Sequence, residues 1–130
     1  MRWRARSNAS TESRLQNTPE LLTRLADAQV EFVVIGGVAA IAWGSQQFTR
    51  DLDLAVPMTA PNVDCLGEVP PLGRFDDVAR SAVELELFGK TCRVIALDDL
   101  ITVKHFVGRP TDRLVEAELR AVRERLRPRR

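Results

Sequence analysis

The chain has few of the residues from which zinc sites, disulfide scaffolds and membrane spans are built. Its 130 residues include two cysteines, Cys65 and Cys92, and one histidine, His105. Two cysteines without paired spacing indicate neither a zinc site nor a disulfide framework, and a lone histidine lacks the partners of a zinc or nucleophile constellation. No apolar run reaches the length of a bilayer span. We therefore expect a cytoplasmic protein that does not contact membranes.

Aromatic residues are also scarce, at 5% of the chain, so the sequence offers no ladder of rings for single-stranded nucleic acid. An apolar content of 45% with 28% charged residues is typical of a globular protein. The length suffices for one core, but not for a catalytic domain plus a substrate domain. We expect a flexible N-terminal arm over residues 1–17, which lack helical periodicity and an apolar signal core, and one domain over residues 18–130.

Two carboxylates, Asp51 and Asp53, lie two positions apart on a short apolar run. Side chains alternate faces along a strand, so this spacing points both carboxylates the same way. Like charges that close are unfavourable without a cation between them, and carboxylate oxygens suit Mg²⁺ or Mn²⁺ better than zinc. The pair predicts a divalent metal site, although the Asp-x-Asp pattern also occurs by chance in turns and at strand edges.

A glycine turn precedes this pair. The apolar run 31–35 predicts a buried strand, Gly36 and Gly37 interrupt it, and residues 38–43 are helix-like. A helix N-terminus offers backbone N–H groups and the positive end of the helix dipole to an anion. Together with the carboxylates, the turn predicts a phosphate site beside a divalent metal.

Residues 32–37 and 49–54, with Gly44 between them, resemble the signature of the nucleotidyltransferase superfamily. The similarity is to its small bacterial members, the AbiEii-like toxins and minimal nucleotidyltransferases. It extends to residues 97–104 and 108–112, which resemble the family's late helix and its Lys, Arg and Asp pattern. The resemblance implies an α/β fold of the α+β kind, in which helices flank a small mixed β-sheet.

The same resemblance implies transfer of a nucleoside monophosphate from a nucleoside triphosphate (NTP) to an acceptor hydroxyl. Three carboxylates would be both catalytic residues and ligands of Mg²⁺ or Mn²⁺: Asp51, Asp53 and Asp64. The nucleotide-binding residues would be Gly36, Gly37, Thr49, Arg50, Lys104 and Arg109. An ordinary helix surface also places Lys and Arg at the last two of these positions.

The spacing of the third carboxylate leaves two interpretations open. Ten residues separate Asp53 from Asp64, where the family usually inserts a helix and a further strand. In the first interpretation, a direct hairpin brings Asp64 beside the other two carboxylates. In the second, the chain lacks part of the fold and is a degenerate binding or regulatory protein without turnover.

Several further elements are predicted. A helix should begin at Thr18, with Pro19 in its first turn. Residues 75–81 suggest a short helix, and residues 82–96 a hairpin in which Glu84 and Glu86 face solvent. Two helices should follow, at about 97–107 and 111–126. The packing stripe of the last helix should contain Val115, Leu119, Val122 and Leu126.

The C-terminal region is rich in arginine although the whole chain carries a net charge of only +1. These residues are Arg113, Arg120, Arg123, Arg125, Arg127, Arg129 and Arg130. Arginine pairs well with phosphate, so RNA, including tRNA, is a candidate acceptor. A protein hydroxyl is the other candidate acceptor. The alternative is a solvated helix whose glutamates offset the charge. The resemblance to toxins suggests an antitoxin as a partner, and a second copy of the chain, in a homo-oligomer, is the alternative partner.

Overall fold

The computed structural model describes residues 2–5, 11–47, 49, 52–57 and 68–128. Its strands are β1 (Arg2–Ala5), β2 (Val33–Ile35), β3 (Leu52–Ala55), β4 (Glu68–Val69), β5 (Gly73–Arg74), β6 (Val83–Leu87) and β7 (Lys90–Val94). Its helices are α1 (Thr11–Asp27), α2 (Gly36–Trp43), α3 (Phe75–Ala79), α4 (Leu97–Val107) and α5 (Pro110–Leu126).

Five of these strands form one mixed sheet in the order β1-β3-β2-β7-β6. Strands β2 and β7 are parallel, with Val34 opposite Val94, and the other neighbouring strands are antiparallel. Strands β4 and β5 pair in a separate two-stranded sheet. Helices and a mixed sheet together make an α+β fold, which confirms the predicted fold class.

The centre of the sheet is buried. Val33, Val34 and Leu54 have no exposed surface, and Leu52 is 1% exposed. A strand that is covered on both faces needs consecutive apolar residues rather than alternating apolar and polar ones, and β2 and most of β3 have this pattern. Asp53 is the exception, because its carboxylate interrupts the apolar run of β3 while the residue is only 5% exposed.

The C-terminal helices α4 and α5 form a hairpin that contacts α2. Val115, Leu119 and Val122 are buried along α5, as predicted, whereas Leu126 is 62% exposed. The prediction for Leu126 is wrong because α5 has 17 residues and its partner α4 has 11. The last turn of α5 therefore extends beyond the helix against which it packs.

The N-terminal elements differ from the sequence-based boundaries. Helix α1 begins at Thr11 rather than Thr18, and Pro19 lies inside it rather than in its first turn. Strand β1 pairs antiparallel with β3, within residues 1–17, for which we expected a flexible arm. The pairing joins positions about 50 residues apart, so local sequence patterns do not reveal it.

The predicted hairpin is present as β6 and β7, and Glu84 and Glu86 are exposed on it, as predicted. Within the described ranges, no helix combines the length and the apolar character needed to cross a membrane.

We expect Leu54→Asp to unfold the protein. The variant would place an unpaired carboxylate at a fully buried position of a central strand, which costs more than about 4 kcal/mol. Leu114→Asp is the matched control, because Leu114 is 58% exposed. Thermal melts should show a cooperative transition for the control and none for Leu54→Asp. A melt of Leu54→Asp close to that of the wild type would contradict the assignment of the core.

Candidate functional site

The candidate site begins where β2 passes directly into α2. Ile35 lies opposite Asp53 in the antiparallel pair, so the next residue, Gly36, comes beside the Asp53 carboxylate. Gly36 has φ +69°, and a Cβ atom at this position would lie 2.5 Å from Asp53 Oδ2. Both the left-handed backbone and this contact favour glycine. The absence of a side chain at Gly36 lets a carboxylate reach the beginning of α2.

Gly37 has the same relationship with Thr49. A Cβ atom at Gly37 would lie 2.6 Å from Thr49 Oγ1 and 2.8 Å from Thr49 Cβ. Real Cβ atoms do not approach other atoms this closely, so a larger residue would displace Thr49. The two glycines of the turn therefore accommodate two of the residues that the sequence assigns to the site.

A cavity of about 260 Å³ opens beside this turn, near the lower end of the size range of small-ligand pockets. Its polar lining comes from Gly36, Lys104, Arg109 and Asp112. The rest of the lining is largely apolar and includes Val69, Pro70, Val103, Phe106 and Val107. The cavity therefore joins the glycine turn to the α4–α5 hairpin.

Asp112 organises the charged side of the cavity. Its side chain is 2% exposed, and Oδ1 lies 3.2 Å from Lys104 Nζ. Oδ2 accepts a hydrogen bond of 2.7 Å from Arg109 Nε and one of 3.3 Å from the Arg109 backbone N–H. Asp112, the third residue of α5, thus accepts the backbone N–H of the N-cap residue Arg109 and is the shared partner of two cations.

The cations decide the ionisation of this carboxyl group. Burial alone would raise the pKa of Asp112, but the hydrogen bonds and positive charges of Arg109 and Lys104 together bring it below its usual value. The hydrogen bond and charge of Asp112 in turn raise the pKa of Arg109, and the charge of Asp53 acts in the same direction. Asp53 and Arg109 therefore belong to one electrostatic neighbourhood.

Six of the residues predicted for the site lie in the described part of the chain, in two groups that share Gly36. Gly36 and Gly37 meet Asp53 and Thr49 at the turn, while Lys104 and Arg109 line the cavity. The other three predicted residues, Arg50, Asp51 and Asp64, lie outside the described residues.

The metal hypothesis depends partly on two of those positions, Asp51 and Asp64. The described part of the chain contains no group of three His, Cys, Asp or Glu residues that could hold a metal ion. It supplies one carboxylate at the turn, Asp53, whose hard oxygen atoms fit Mg²⁺ or Mn²⁺. Asp112 is committed to Lys104 and Arg109. Further metal ligands would have to come from Asp51 and Asp64.

Sequence reasoning missed the role of Asp112. The aspartate belongs to the Lys, Arg and Asp pattern of the resemblance, but the sequence assigned it no function, because an acidic residue in the first turn of a helix is common. The useful signal was its spacing from two basic residues, Lys104 and Arg109. A helix end followed by Gly108 and Pro110 returns the chain sharply enough to bring all three together.

Two of the four arginines of α5, and Arg127 just after it, lie close to carboxylates. Arg120 lies 2.7 Å from Glu116, Arg123 lies 3.3 Å from Asp98, and Arg127 lies 3.1 Å from Glu124. Arg129 and Arg130 lie outside the described residues. In the described part of α5, this arrangement favours the solvated helix over a phosphate-binding strip.

No family model matches the chain, and comparisons with curated proteins and with solved structures give no significant match.

We expect Asp112→Asn to lower the free energy of unfolding by about 3 kcal/mol near neutral pH, because it leaves Lys104 charged and largely buried without its partner. The size of this difference should depend on pH. Because folding lowers the pKa of Asp112, its contribution is complete above the usual aspartate pKa. It is lost as pH falls through the lower pKa of the folded state.

Urea denaturation at pH 7, 4 and 3 measures this difference, and Asp76→Asn is the control because Asp76 is exposed. The gap between the wild type and Asp112→Asn should narrow towards pH 3, while Asp76→Asn should follow the wild type. A gap that stays constant over this range would show that the Asp112 carboxylate does not carry the stabilisation.

Proposed function

We propose that this protein is a metal-dependent nucleotidyltransferase that moves a nucleoside monophosphate from an NTP to an acceptor hydroxyl. The observation that carries the proposal is the Asp53 carboxylate, buried against Gly36 at the N-terminus of α2. A carboxylate at an anion-binding helix end is unfavourable for a bare phosphate, but suits a phosphate that arrives with a divalent cation.

The cations of the cavity support this proposal. Lys104 and Arg109 carry two positive charges against the single negative charge of Asp112 in the cavity lining, and Asp53 beside the turn balances the second. Arg109 is 68% exposed and can turn towards a ligand, whereas Lys104 is 12% exposed and fixed. An exposed guanidinium near a helix N-terminus can pair with the phosphates of a triphosphate that arrives with a divalent cation.

In the proposed reaction, the acceptor oxygen forms a bond to the α-phosphorus of the NTP as the bond to the pyrophosphate oxygen breaks. Gly36 and Gly37 admit the phosphates close to the backbone, while Thr49, Arg50, Lys104 and Arg109 orient them. Asp64 would take the proton of the acceptor hydroxyl, and pyrophosphate would leave. Catalysis then consists of positioning and charge neutralisation.

Mg²⁺ or Mn²⁺ would be held by Asp51, Asp53 and Asp64 in this proposal. When bound, the ion would supply positive charge that offsets the triphosphate and the departing pyrophosphate. Asp53 is the member of the set whose burial and contact with the glycine turn support this role.

A second candidate function is nucleotide binding without turnover. Two observations favour it: ten residues separate Asp53 from Asp64, and Asp112 engages both Lys104 and Arg109. Such a protein would bind NTP at the cavity as a regulatory signal. Binding distinguishes either candidate from an unrelated function, and transfer distinguishes the two candidates from each other.

The acceptor in the first proposal is RNA, including tRNA, or protein. Ion pairs with carboxylates occupy Arg120, Arg123 and Arg127, which reduces the support for RNA, so both acceptors need direct testing. A toxin–antitoxin role with an antitoxin partner, self-association and a cytoplasmic location belong to the same proposal.

We expect NTP binding to depend on divalent metal. Mg²⁺ offsets repulsion between the phosphates and the buried Asp53 carboxylate, so it should strengthen binding about tenfold or more. Calorimetry with ATP, GTP, CTP and UTP, each with and without Mg²⁺, measures this. If none of the four binds at millimolar concentration in either condition, both candidate functions fail.

We expect Asp53→Asn to reduce nucleotide transfer at least about 100-fold while the fold stays intact. Asparagine keeps the volume of aspartate but removes the charge that a metal needs. Labelled NTPs supplied with Mg²⁺ would be tested for transfer to total RNA and to the protein itself.

Glu84→Gln is the matched control, because it removes an exposed carboxylate on β6, away from the turn. Thermal melts of both variants report folding. Undiminished transfer by a well-folded Asp53→Asn protein would place the active site elsewhere. Nucleotide binding without transfer by the wild type would support the second candidate.

A further inference from the structure

The loop between α2 and β3 connects the C-terminal end of α2 with the strand that carries Asp53. Gly44 ends α2 with φ +116°, and Ser45, Gln46 and Gln47 follow it. Thr49, the next described residue, packs against Gly37. The path of this loop therefore sets where Thr49 and the beginning of β3 lie relative to the turn.

One carboxylate from α5 holds this loop. The Ser45 hydroxyl donates to Glu118 Oε1 at 3.0 Å, and the Gln46 backbone N–H donates to Glu118 Oε2 at 2.9 Å. Ser45 Oγ also accepts the Gln47 backbone N–H at 3.1 Å. Ser45 is only 6% exposed. Three consecutive loop residues are thereby tied, directly or through Ser45, to a single side chain that lies 72 positions from Gln46 and 73 from Ser45 in the chain.

Glu118 differs from the other carboxylates of α5. Asp112 pairs with Lys104 and Arg109, Glu116 with Arg120, and Glu124 with Arg127. None of the ion pairs between described residues involves Glu118. The N–H of Gln46 lowers the pKa of Glu118 against the opposing effect of burial, and Ser45 and Gln47 also lower it. Loop donors, rather than a cation, stabilise this charge.

We propose that Glu118 is a positioning residue, which fixes the α2–β3 loop and thereby seats Thr49 against Gly37 at the nucleotide site. This inference rests on the proposed function for its effect on nucleotide, because Glu118 does not itself line the cavity. Its structural part, the tethering of the loop, is testable whether or not the protein transfers nucleotide.

The decisive variants are Glu118→Ala and Glu118→Gln. Alanine removes both acceptors. Glutamine keeps an oxygen for the Gln46 N–H, and its amide nitrogen donates to Ser45 Oγ, so it should preserve the loop. The matched control is Glu124→Ala, which removes a carboxylate from the same helix that pairs only with the exposed Arg127.

Hydrogen exchange at the Gln46 and Gln47 amides reports the tether directly. Glu118→Ala should accelerate exchange there about tenfold or more, the effect of losing a hydrogen bond to a charged acceptor. Glu118→Gln and Glu124→Ala should exchange like the wild type. Unchanged exchange in Glu118→Ala would overturn the proposal.

Calorimetry then measures the Kd of whichever of ATP, GTP, CTP and UTP binds most tightly with Mg²⁺. Glu118→Ala should weaken this binding about tenfold because Thr49 loses its seat, and Glu118→Gln should restore it. A merely structural role would reduce the fraction of folded protein without changing the Kd. Faster exchange with an unchanged Kd would therefore overturn the positioning role, whereas failure of the wild type to bind any nucleotide would overturn the proposed function.

Discussion

The candidate site depends on one steric constraint. The side chains of Asp53 and Thr49 approach the turn closely, which is possible because Gly36 and Gly37 have no side chains. Asp53 and Thr49 occupy space that a Cβ atom at Gly36 or Gly37 would fill. The register of β2 with β3 makes this approach necessary, since Ile35 lies opposite Asp53. A side chain at Gly36 would push Asp53 of β3 away from the beginning of α2, and a side chain at Gly37 would displace Thr49.

Charge balance across the cavity follows from this geometry. Asp53 brings a negative charge to the beginning of α2, where the backbone favours anions, while Lys104 and Arg109 line the cavity next to Gly36 and share Asp112 as a partner. Taken together, two carboxylates and two cations leave this neighbourhood close to neutral. A neutral site offers little electrostatic attraction to a free triphosphate. A divalent cation on the triphosphate reduces the negative charge that the site has to balance. The same balance explains why the proposed ligand is a metal–nucleotide complex.

Local patterns predicted most of the elements, and long-range contacts account for what they missed. The strand, glycine turn and helix over residues 31–43 and the hairpin over residues 82–96 follow from periodicity and glycine. Its spacing from Asp51 made Asp53 a predicted metal ligand, and that role stays a prediction. The roles of Asp112 and Glu118 were not predictable in this way, because acidic residues on an amphipathic helix look like solvated positions until their partners on other elements are known.

Asp112 and Glu118 connect α5 to the candidate site, in addition to its packing against α4 and α2. Asp112 in its first turn holds the cations of the cavity, and Glu118 holds the loop that leads to β3. They lie six positions apart on the helix, which is about 9 Å along the axis. A rigid helix of this length fixes the distance between the cation side and the loop side of the site. Any movement of α5 would shift both together, so the buried stripe of Val115, Leu119 and Val122 serves the geometry of the site as well as the stability of the core.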